Sequence, residues 1–218
     1  MRCSMEIGLK GRKIAILATD GVEQVELEQP RRALDDAGAV THLISPKQDT
    51  IQAMNHDEKG ARVPVDRMLS DVRASDYDAL LLPGGVANPD RLRTDARAVQ
   101  FVREFMLADR PVAAICHGAW MLVEAGTVAG RTLTSWPSLA TDIRNAGGDW
   151  VDESVRIDDK LITSRNPDDL PRFCAAIVKE FARSLDDARA DSVDEQRLPA
   201  GDQSPGPSGI GGEGDARP

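Results

Sequence analysis

PVAAICHGAWMLVEAG, residues 111–126, is the stretch of sequence that decides the fold. Residues 111–116 form a short, fully apolar run, which is typical of a buried strand. Residues 118–125 have apolar side chains at helical spacing, and Gly126 follows as a helix stop. A strand that is apolar along its whole length indicates a parallel sheet covered on both faces. The stretch therefore predicts a strand, a tight turn at Cys116 and a helix, within a layered α/β sheet.

The rest of the chain repeats this alternation of strands and helices. Predicted strands lie at residues 13–19, 40–45, 78–83, 111–116 and 132–135, with two more within 150–165. Predicted helices lie at residues 25–37, 94–109, 118–125, 138–146 and 169–183, the last with Asp168 or Asp169 as its cap. A small hairpin at a sheet edge is expected within residues 51–65. The order predicts a single α/β domain with a doubly wound, mostly parallel sheet between helices.

Composition divides the chain into three parts. Residues 1–11 are expected to be a flexible N-terminus, and residues 12–184 carry the predicted domain. Residues 185–218 are acidic, rich in glycine and proline and free of aromatic side chains. Such a segment cannot bury enough apolar surface to offset the entropy of ordering it. We expect it to be a disordered tail.

Charge and hydropathy exclude several classes of function. The net charge is −9 and no run of Lys or Arg forms a stripe, so we expect no nucleic-acid partner. No apolar run approaches the roughly 20 residues of a membrane span, and no secretory signal is apparent, so we expect a cytoplasmic protein. The cysteines lack a CxxC pair and the histidines are scattered, which indicates neither a disulfide scaffold nor a metal site. The cysteines are Cys3, Cys116 and Cys174.

The sequence at the end of the first predicted strand argues against a dinucleotide cofactor and against a cofactor bound there through a phosphate group. Ligands of doubly wound sheets bind at the carboxyl ends of the strands. After residue 19 the sequence reads DGVEQV, which lacks the glycine pattern of a dinucleotide site. Its carboxylates would also repel a phosphate group at close range. We therefore expect no cofactor at this position.

Cys116 is the candidate nucleophile. It ends an apolar strand directly before a helix that begins at Gly118, the geometry of a nucleophile elbow. The amides at the start of that helix should stabilise a thiolate and lower its pKa. Gly84 and Gly85, at a neighbouring strand end, can offer main-chain N–H groups to an oxyanion. The alternative is a small buried apolar cysteine, which is the expected role of Cys174.

Two acidic residues and one histidine stand near this cysteine in the predicted fold. Glu23 and Glu26 share a face at the start of the first helix, either as favourable acids at a helix N-terminus or with one reaching the sulfur. A buried carboxyl beside a thiolate would have a raised pKa, keep its proton and donate it in a hydrogen bond. His117 can act through its ring as a base or through its main-chain amide, and the sequence leaves both open.

Seven segments together resemble the ThiJ/PfpI family, the group of PfpI-type intracellular proteases and protein deglycases within the class I glutamine amidotransferase-like superfamily. They are DGVEQVELEQP (20–30), IQAMNH (51–56), LLLPGGVANPDRLR (80–93), VAAICHGAWML (112–122), LTSWPSL (133–139), NAGGDWVDE (145–153) and TSRNPDDLPRF (163–173). The resemblance implies a flavodoxin-like fold with Cys116 as nucleophile and Glu26 hydrogen-bonded to the thiol. It also implies that Asp90 completes the site of a neighbouring subunit, so that the protein forms a homodimer or a larger homo-oligomer.

The remaining predicted site residues are grouped as oxyanion or substrate-binding positions. They are Gly84, Gly85, Gly118, Glu23 and Trp120, and the resemblance adds the main-chain amide of His117. Two positions depart from the family pattern. Ala119 stands where proline is frequent, and Asp90 is one methylene shorter than the glutamate of some branches.

The resulting hypothesis is a cysteine-dependent stress-protection hydrolase without metal or cofactor. The Cys116 thiolate would attack a peptide carbonyl, or an α-oxoaldehyde such as methylglyoxal and its protein adducts. Protease, glyoxalase and deglycase activities all draw on the same thiolate. The alternatives are a redox sensor, which uses the same sulfur, and a chaperone, for which the sequence offers no distinct feature.

Overall fold

A seven-stranded, mostly parallel sheet forms the centre of the protein in the computed structural model, which describes residues 8–195. In chain order the strands are β1 (Lys13–Leu17), β2 (Val22–Glu23), β3 (Val40–Ser45), β4 (Thr50–Asn55), β5 (Glu58–Pro64), β6 (Arg67–Met68), β7 (Ala79–Leu82), β8 (Val112–Ile115), β9 (Thr132–Leu133), β10 (Asp149–Trp150), β11 (Val155–Asp158) and β12 (Leu161–Ser164). The α-helices are α1 (Gln24–Asp36), α2 (Ala87–Leu92), α3 (Ala96–Leu107), α4 (Trp120–Glu124), α5 (Ala140–Asn145) and α6 (Leu170–Glu195).

The strand order in the main sheet is β11-β12-β8-β7-β1-β3-β6. Only the pair β11–β12 is antiparallel, and the other neighbours run parallel. The carboxyl ends of β1, β7 and β8 therefore meet at one edge of the sheet, which brings the loops after them together. This confirms the predicted doubly wound α/β domain.

Both faces of the sheet are buried, as the fully apolar strands predicted. Along β7, Leu80 and Leu82 belong to one hydrophobic core, while Ala79 and Leu81 belong to a second core on the opposite face. Helices α3, α4 and α5 contribute to the first core, and α1 and α6 to the second. Successive strand residues point to opposite faces, so a strand between two helical layers has no position for an exposed side chain.

Two short pairings differ from the prediction. The hairpin β4–β5 does not extend the main sheet at its edge; it joins β2 in a separate three-stranded sheet, with β2 and β4 parallel. Likewise, β9 pairs with β10 in a small parallel ribbon outside the main sheet. The first difference matters for function, because pairing with β2 brings the hairpin beside the carboxyl end of β1.

The boundaries of the domain also differ from the prediction. Leu9, within the predicted flexible N-terminus, is fully buried, and its N–H donates to the carbonyl of Ala37 at 2.8 Å. Helix α6 continues to Glu195, so the boundary predicted at Ser184 lies inside a helix. The side chain of Asn166 caps the 3₁₀ turn before α6 by accepting from the main-chain N–H of Asp168, and the cap of α6 itself by Asp168 or Asp169 stays a prediction. The predicted disorder of residues 1–7 and 196–218 lies outside the described residues.

None of the helices described in residues 8–195 has both the length and the apolar composition that a membrane crossing requires.

Candidate active site

Cys116 occupies a sharp bend between β8 and α4. Its φ angle is +59°, although the strand residue before it is extended. A residue with a β-carbon rarely adopts this conformation, and strain of about 1–3 kcal/mol is kept only where the surrounding fold enforces it. A 3₁₀ turn over Cys116–Ala119 follows, so that α4 begins at Trp120, two residues later than predicted. The predicted elbow geometry is thus present.

The sulfur of Cys116 faces several polar groups. The Sγ atom lies 3.2 Å from Nδ1 of His117. The main-chain N–H groups of Gly85 and His117 and the Glu26 carboxyl lie close enough to the sulfur to act on its pKa. The residue is only 7% exposed, and what remains open faces a cavity. The sulfur is therefore a buried atom with donors on its protein side and an opening on the other.

Glu26 is the buried acid of the site. It lies in the first turn of α1 and is fully buried. Its Oε2 accepts a hydrogen bond from the main-chain N–H of Gly84 at 3.0 Å, while Oε1 has no hydrogen-bond partner among the described residues. Burial, helped by the nearby charge of Glu23, raises the pKa of Glu26 to about 8, against the effect of the Cys116 thiol and the glycine amides. Glu26 therefore keeps its proton at neutral pH, as expected.

The expectation of a lowered thiol pKa is wrong. Burial raises the pKa of the Cys116 thiol above its ordinary value, and a charge on Glu26 raises it further. The two main-chain donors act in the opposite direction but do not outweigh the loss of solvation. A free thiolate is thus costly here because it is buried, and a protonated Glu26 removes only the added repulsion.

His117 contacts the sulfur through both its ring and its main chain, which were open alternatives in the sequence. Burial lowers its pKa, so the ring is neutral near pH 7. In the tautomer that carries the proton on Nε2, Nδ1 accepts the thiol proton. Ser138 Oγ lies 3.5 Å from Nε2, and Trp136 stacks on the ring at a centroid distance of 5.8 Å.

The two glycines after β7 allow the close approach of this loop to the sulfur. A β-carbon on Gly84 would lie 2.7 Å from the Cβ of Cys116 and would also strike the Glu26 carboxyl. Gly85 has a φ angle of +80°, and a β-carbon there would lie 2.7 Å from the main-chain nitrogen of Glu23. Both positions therefore exclude a side chain, and both place main-chain N–H groups at the site.

Glu23 lies at the site, and its predicted part in substrate binding stays a prediction. It lines the cavity, and its Oε2 accepts from the main-chain N–H of His56 at 3.1 Å. Gly118 and Trp120, by contrast, do not line the cavity. Gly118 packs against the end of β7, where a β-carbon would lie 3.1 Å from the carbonyl oxygen of Pro83. Trp120 instead contacts the ring of His117 edge-on at a centroid distance of 5.2 Å, and its indole N–H donates to Asp142 at 2.8 Å.

Asp90 does not reach the sulfur within one protomer. It is exposed on α2 and is absent from the cavity lining. Its predicted part in the site of a neighbouring subunit stays a prediction.

A cavity of about 520 Å³ opens above the sulfur. Its lining residues are Gly21, Glu23, Glu26, Met54, His56, Asp57, Gly85, Val86, Ala87, Cys116, His117, Trp136 and Pro167. Sequence reasoning assigned no role to Met54, His56, Asp57 or Trp136, although two of the segments that carry the family resemblance contain Met54, His56 and Trp136. In the part of the chain that the structure describes, no group of three His, Cys, Asp or Glu side chains is placed to hold a metal ion.

Fold and site together define a flavodoxin-like α/β domain with a cysteine at a strand–helix elbow beside a buried acid. A family model described as the DJ-1/PfpI family matches residues 12–180, and the chain belongs to this family.

Known proteins similar to this chain include General stress protein 18 of Bacillus subtilis, which is 43% identical over 165 residues, covering 75% of this chain and 94% of that protein. Among solved structures, a two-domain protein of Anabaena variabilis with DJ-1/ThiJ/PfpI-like and ferritin-like domains is 33% identical, with a TM-score of 0.72. The match covers 77% of this chain and 47% of that one, so this chain spans about half of the two-domain protein. Drosophila melanogaster DJ-1beta shares the fold, with a TM-score of 0.72 at 24% identity over 84% of this chain and 98% of that one.

Proposed function

We propose that this protein is a cytoplasmic stress-protection enzyme that converts small α-oxoaldehydes, such as methylglyoxal, to hydroxy acids through Cys116. The observation that carries the proposal is the sulfur at a strained elbow, with Gly85 and His117 amides and the Glu26 carboxyl around it, on the floor of a cavity. The similarity to a general stress protein supports the physiological setting.

The chemistry begins with attack by the sulfur on the aldehyde carbon. As the C–S bond forms, the thiol proton passes to Nδ1 of His117, which lies 3.2 Å away. The aldehyde oxygen becomes an oxyanion, which the neighbouring main-chain N–H groups stabilise. His117 then returns the proton to this oxygen, and a hemithioacetal results. Protonated Glu26 adds no charge that would oppose these steps.

The second half of the reaction is an internal oxidation and reduction. The hydrogen on C1 moves to C2 through an enediol, so C1 reaches the oxidation level of a thioester while the C2 ketone becomes an alcohol. Water then hydrolyses the thioester, which releases the hydroxy acid and restores the thiol. The net reaction adds one water to the oxoaldehyde and needs no external oxidant or reductant.

The size of the cavity favours a small substrate over a folded polypeptide. About 520 Å³ holds a three-carbon aldehyde with room to spare, and it also admits the side chain of a glycated amino acid. An extended peptide would have to lie across the cavity mouth, where Val86 is 58% exposed and Trp136 is 39% exposed. Deglycase and peptidase activities are therefore included in the test as rivals.

The test is a kinetic panel with methylglyoxal, a glycated amino acid and a fluorogenic peptide, each with wild type and Cys116→Ala. We expect methylglyoxal to be the best substrate and the variant to be inactive. Cys174→Ala is the matched control, because Cys174 is half-buried on α6 and does not line the cavity. Full activity of Cys116→Ala would overturn the proposal.

Redox sensing is a second candidate, favoured by the same donors around the sulfur. Peroxide would oxidise Cys116 to a sulfenic and then a sulfinic acid, releasing one water for each oxygen atom transferred. The sulfinate oxygens would accept hydrogen bonds from protonated Glu26 and from the main chain. Selective formation of Cys116 sulfinate in mild peroxide, together with no turnover of any aldehyde, would favour this role over catalysis.

A further inference from the structure

The turn of the β4–β5 hairpin contains a strained histidine. Asn55, the last residue of β4, pairs with Glu58, the first residue of β5, so His56 and Asp57 form a two-residue turn. His56 has a φ angle of +56°. Two-residue hairpin turns that need a positive φ strongly favour glycine or asparagine, because a larger side chain costs energy there. Strain of this kind at the rim of a cavity suggests that the histidine is kept for a purpose other than the turn.

The fold fixes this turn beside the reacting sulfur. Strand β4 pairs in parallel with β2, with Ala53 opposite Val22 and Met54 opposite Glu23. The main-chain N–H of His56 donates to Oε2 of Glu23 at 3.1 Å. His56 thus forms part of the cavity wall that the hairpin contributes, in the same cavity as Cys116.

Most of the other ionisable groups in this wall are already engaged or cannot donate. Glu26 and His117 contact the sulfur, and Glu23 accepts from the hairpin. Carboxylate oxygens such as those of Asp57 accept hydrogen bonds and would repel a developing enediolate. Within the described residues, two side chains of the cavity wall offer an N–H donor with no hydrogen bond in the site, the indole of Trp136 and the imidazole of His56. Trp136 is stacked on the ring of His117, whereas His56 is carried by the hairpin.

We propose that His56 contacts the substrate and donates a hydrogen bond to the C2 oxygen of an α-oxoaldehyde bound to Cys116. This inference rests on the proposed function. The C2 oxygen gains negative charge when the C1 hydrogen leaves, and a donor placed there stabilises the enediolate. His56 would thereby select vicinal dicarbonyl compounds, because a simple aldehyde has no second oxygen for it to bind.

The test uses His56→Gly, because glycine relieves the strained φ and leaves the turn intact. A purely structural role predicts that this variant is at least as stable as wild type and fully active. The proposal predicts the same or a higher Tm but a loss of about 10²-fold in kcat for methylglyoxal, the usual effect of removing one donor to an oxyanion. The alkylation rate of Cys116 by iodoacetamide should change less than twofold, since His56 acts on the substrate and not on the sulfur.

Asp49→Gly is the matched control. Asp49 also has a positive φ, +67°, and lies at the other end of the same hairpin, outside the cavity lining. We expect it to gain stability in the same way and to keep full activity. Wild-type kcat in His56→Gly would overturn the proposal while leaving the proposed function intact. No turnover of methylglyoxal by the wild type would overturn both.

Discussion

Glu26→Gln tests whether the acid at the site is held uncharged by burial. Glutamine keeps the shape of the side chain and an oxygen for the Gly84 N–H, which now lies 3.0 Å from Oε2. It removes the only ionisable group of α1 that is fully buried. Burial raises the pKa of Glu26 from 4.5 to about 8. Above pH 4.5 the wild type therefore loses unfolding free energy that the variant keeps.

The sign and size follow from proton linkage. The folded chain binds the Glu26 proton more tightly than the unfolded chain, so stability is highest below pH 4.5 and is lost as pH rises toward 8. With these two pKa values, Glu26 alone costs the wild type about 3–4 kcal/mol of unfolding free energy between pH 5 and pH 8. Between pH 5 and pH 8, the unfolding free energy of Glu26→Gln should therefore rise relative to that of the wild type by about 3–4 kcal/mol.

Urea unfolding of both proteins at pH 5 and pH 8 measures this difference. Other groups titrate in the same range, but they are common to both proteins and cancel. Glu28→Gln is the control, because Glu28 is exposed on the same helix and lies outside the cavity lining. The variant should also alkylate more slowly at Cys116, because an amide is a weaker donor to a thiolate than a carboxylic acid. Parallel stability curves for Glu26→Gln and wild type, within about 1 kcal/mol, would refute the reasoning.

Two further predictions concern the loop after β7 and the subunit contact. Gly84→Ala should lower Tm by about 2–12 °C through overpacking and should alter the alkylation rate of Cys116. The control is Gly126→Ala, which has open space around its β-carbon and should leave that rate unchanged. An unchanged alkylation rate in Gly84→Ala would show that Gly84 does not shape the site. Asp90→Asn should lower kcat roughly tenfold, which corresponds to the loss of one hydrogen bond to a charged group. The wild type should sediment as a dimer or a larger oligomer. An active monomer in sedimentation would contradict any part of Asp90 in a partner's site.

Much of the fold was predictable because it depends on local patterns. The apolar strands β1, β7 and β8 and the glycines after them mark a sheet that is buried on both faces, and the structure has that sheet. The hairpin β4–β5 was assigned to the wrong place, because β2 is only two residues long and leaves no periodic signal. A pairing that short is decided by tertiary contacts rather than by local sequence.

The site was predictable where its residues lie at strand ends, and less so elsewhere. Cys116, Glu26 and Gly85 follow strands or begin a helix, so topology brings them to one edge of the sheet, and the family resemblance singled out Glu26 from Glu23. His56 lies on the hairpin, and its position depended on the missed pairing with β2. The predicted shift of the Cys116 thiol pKa had the wrong direction, because the sequence shows the helix that would stabilise a thiolate but not the burial that opposes it.

The central claim is that Cys116 forms the covalent intermediate, and trapping that intermediate tests it most directly. The protein is mixed with methylglyoxal, quenched in acid during turnover and digested for mass spectrometry. We expect a mass increase equal to one methylglyoxal on the peptide that contains Cys116, which rises and falls with the substrate and is missing from Cys116→Ala. Steady turnover with an unmodified Cys116 peptide at every time point, or with the adduct only on Cys174 or lysine, would contradict the account.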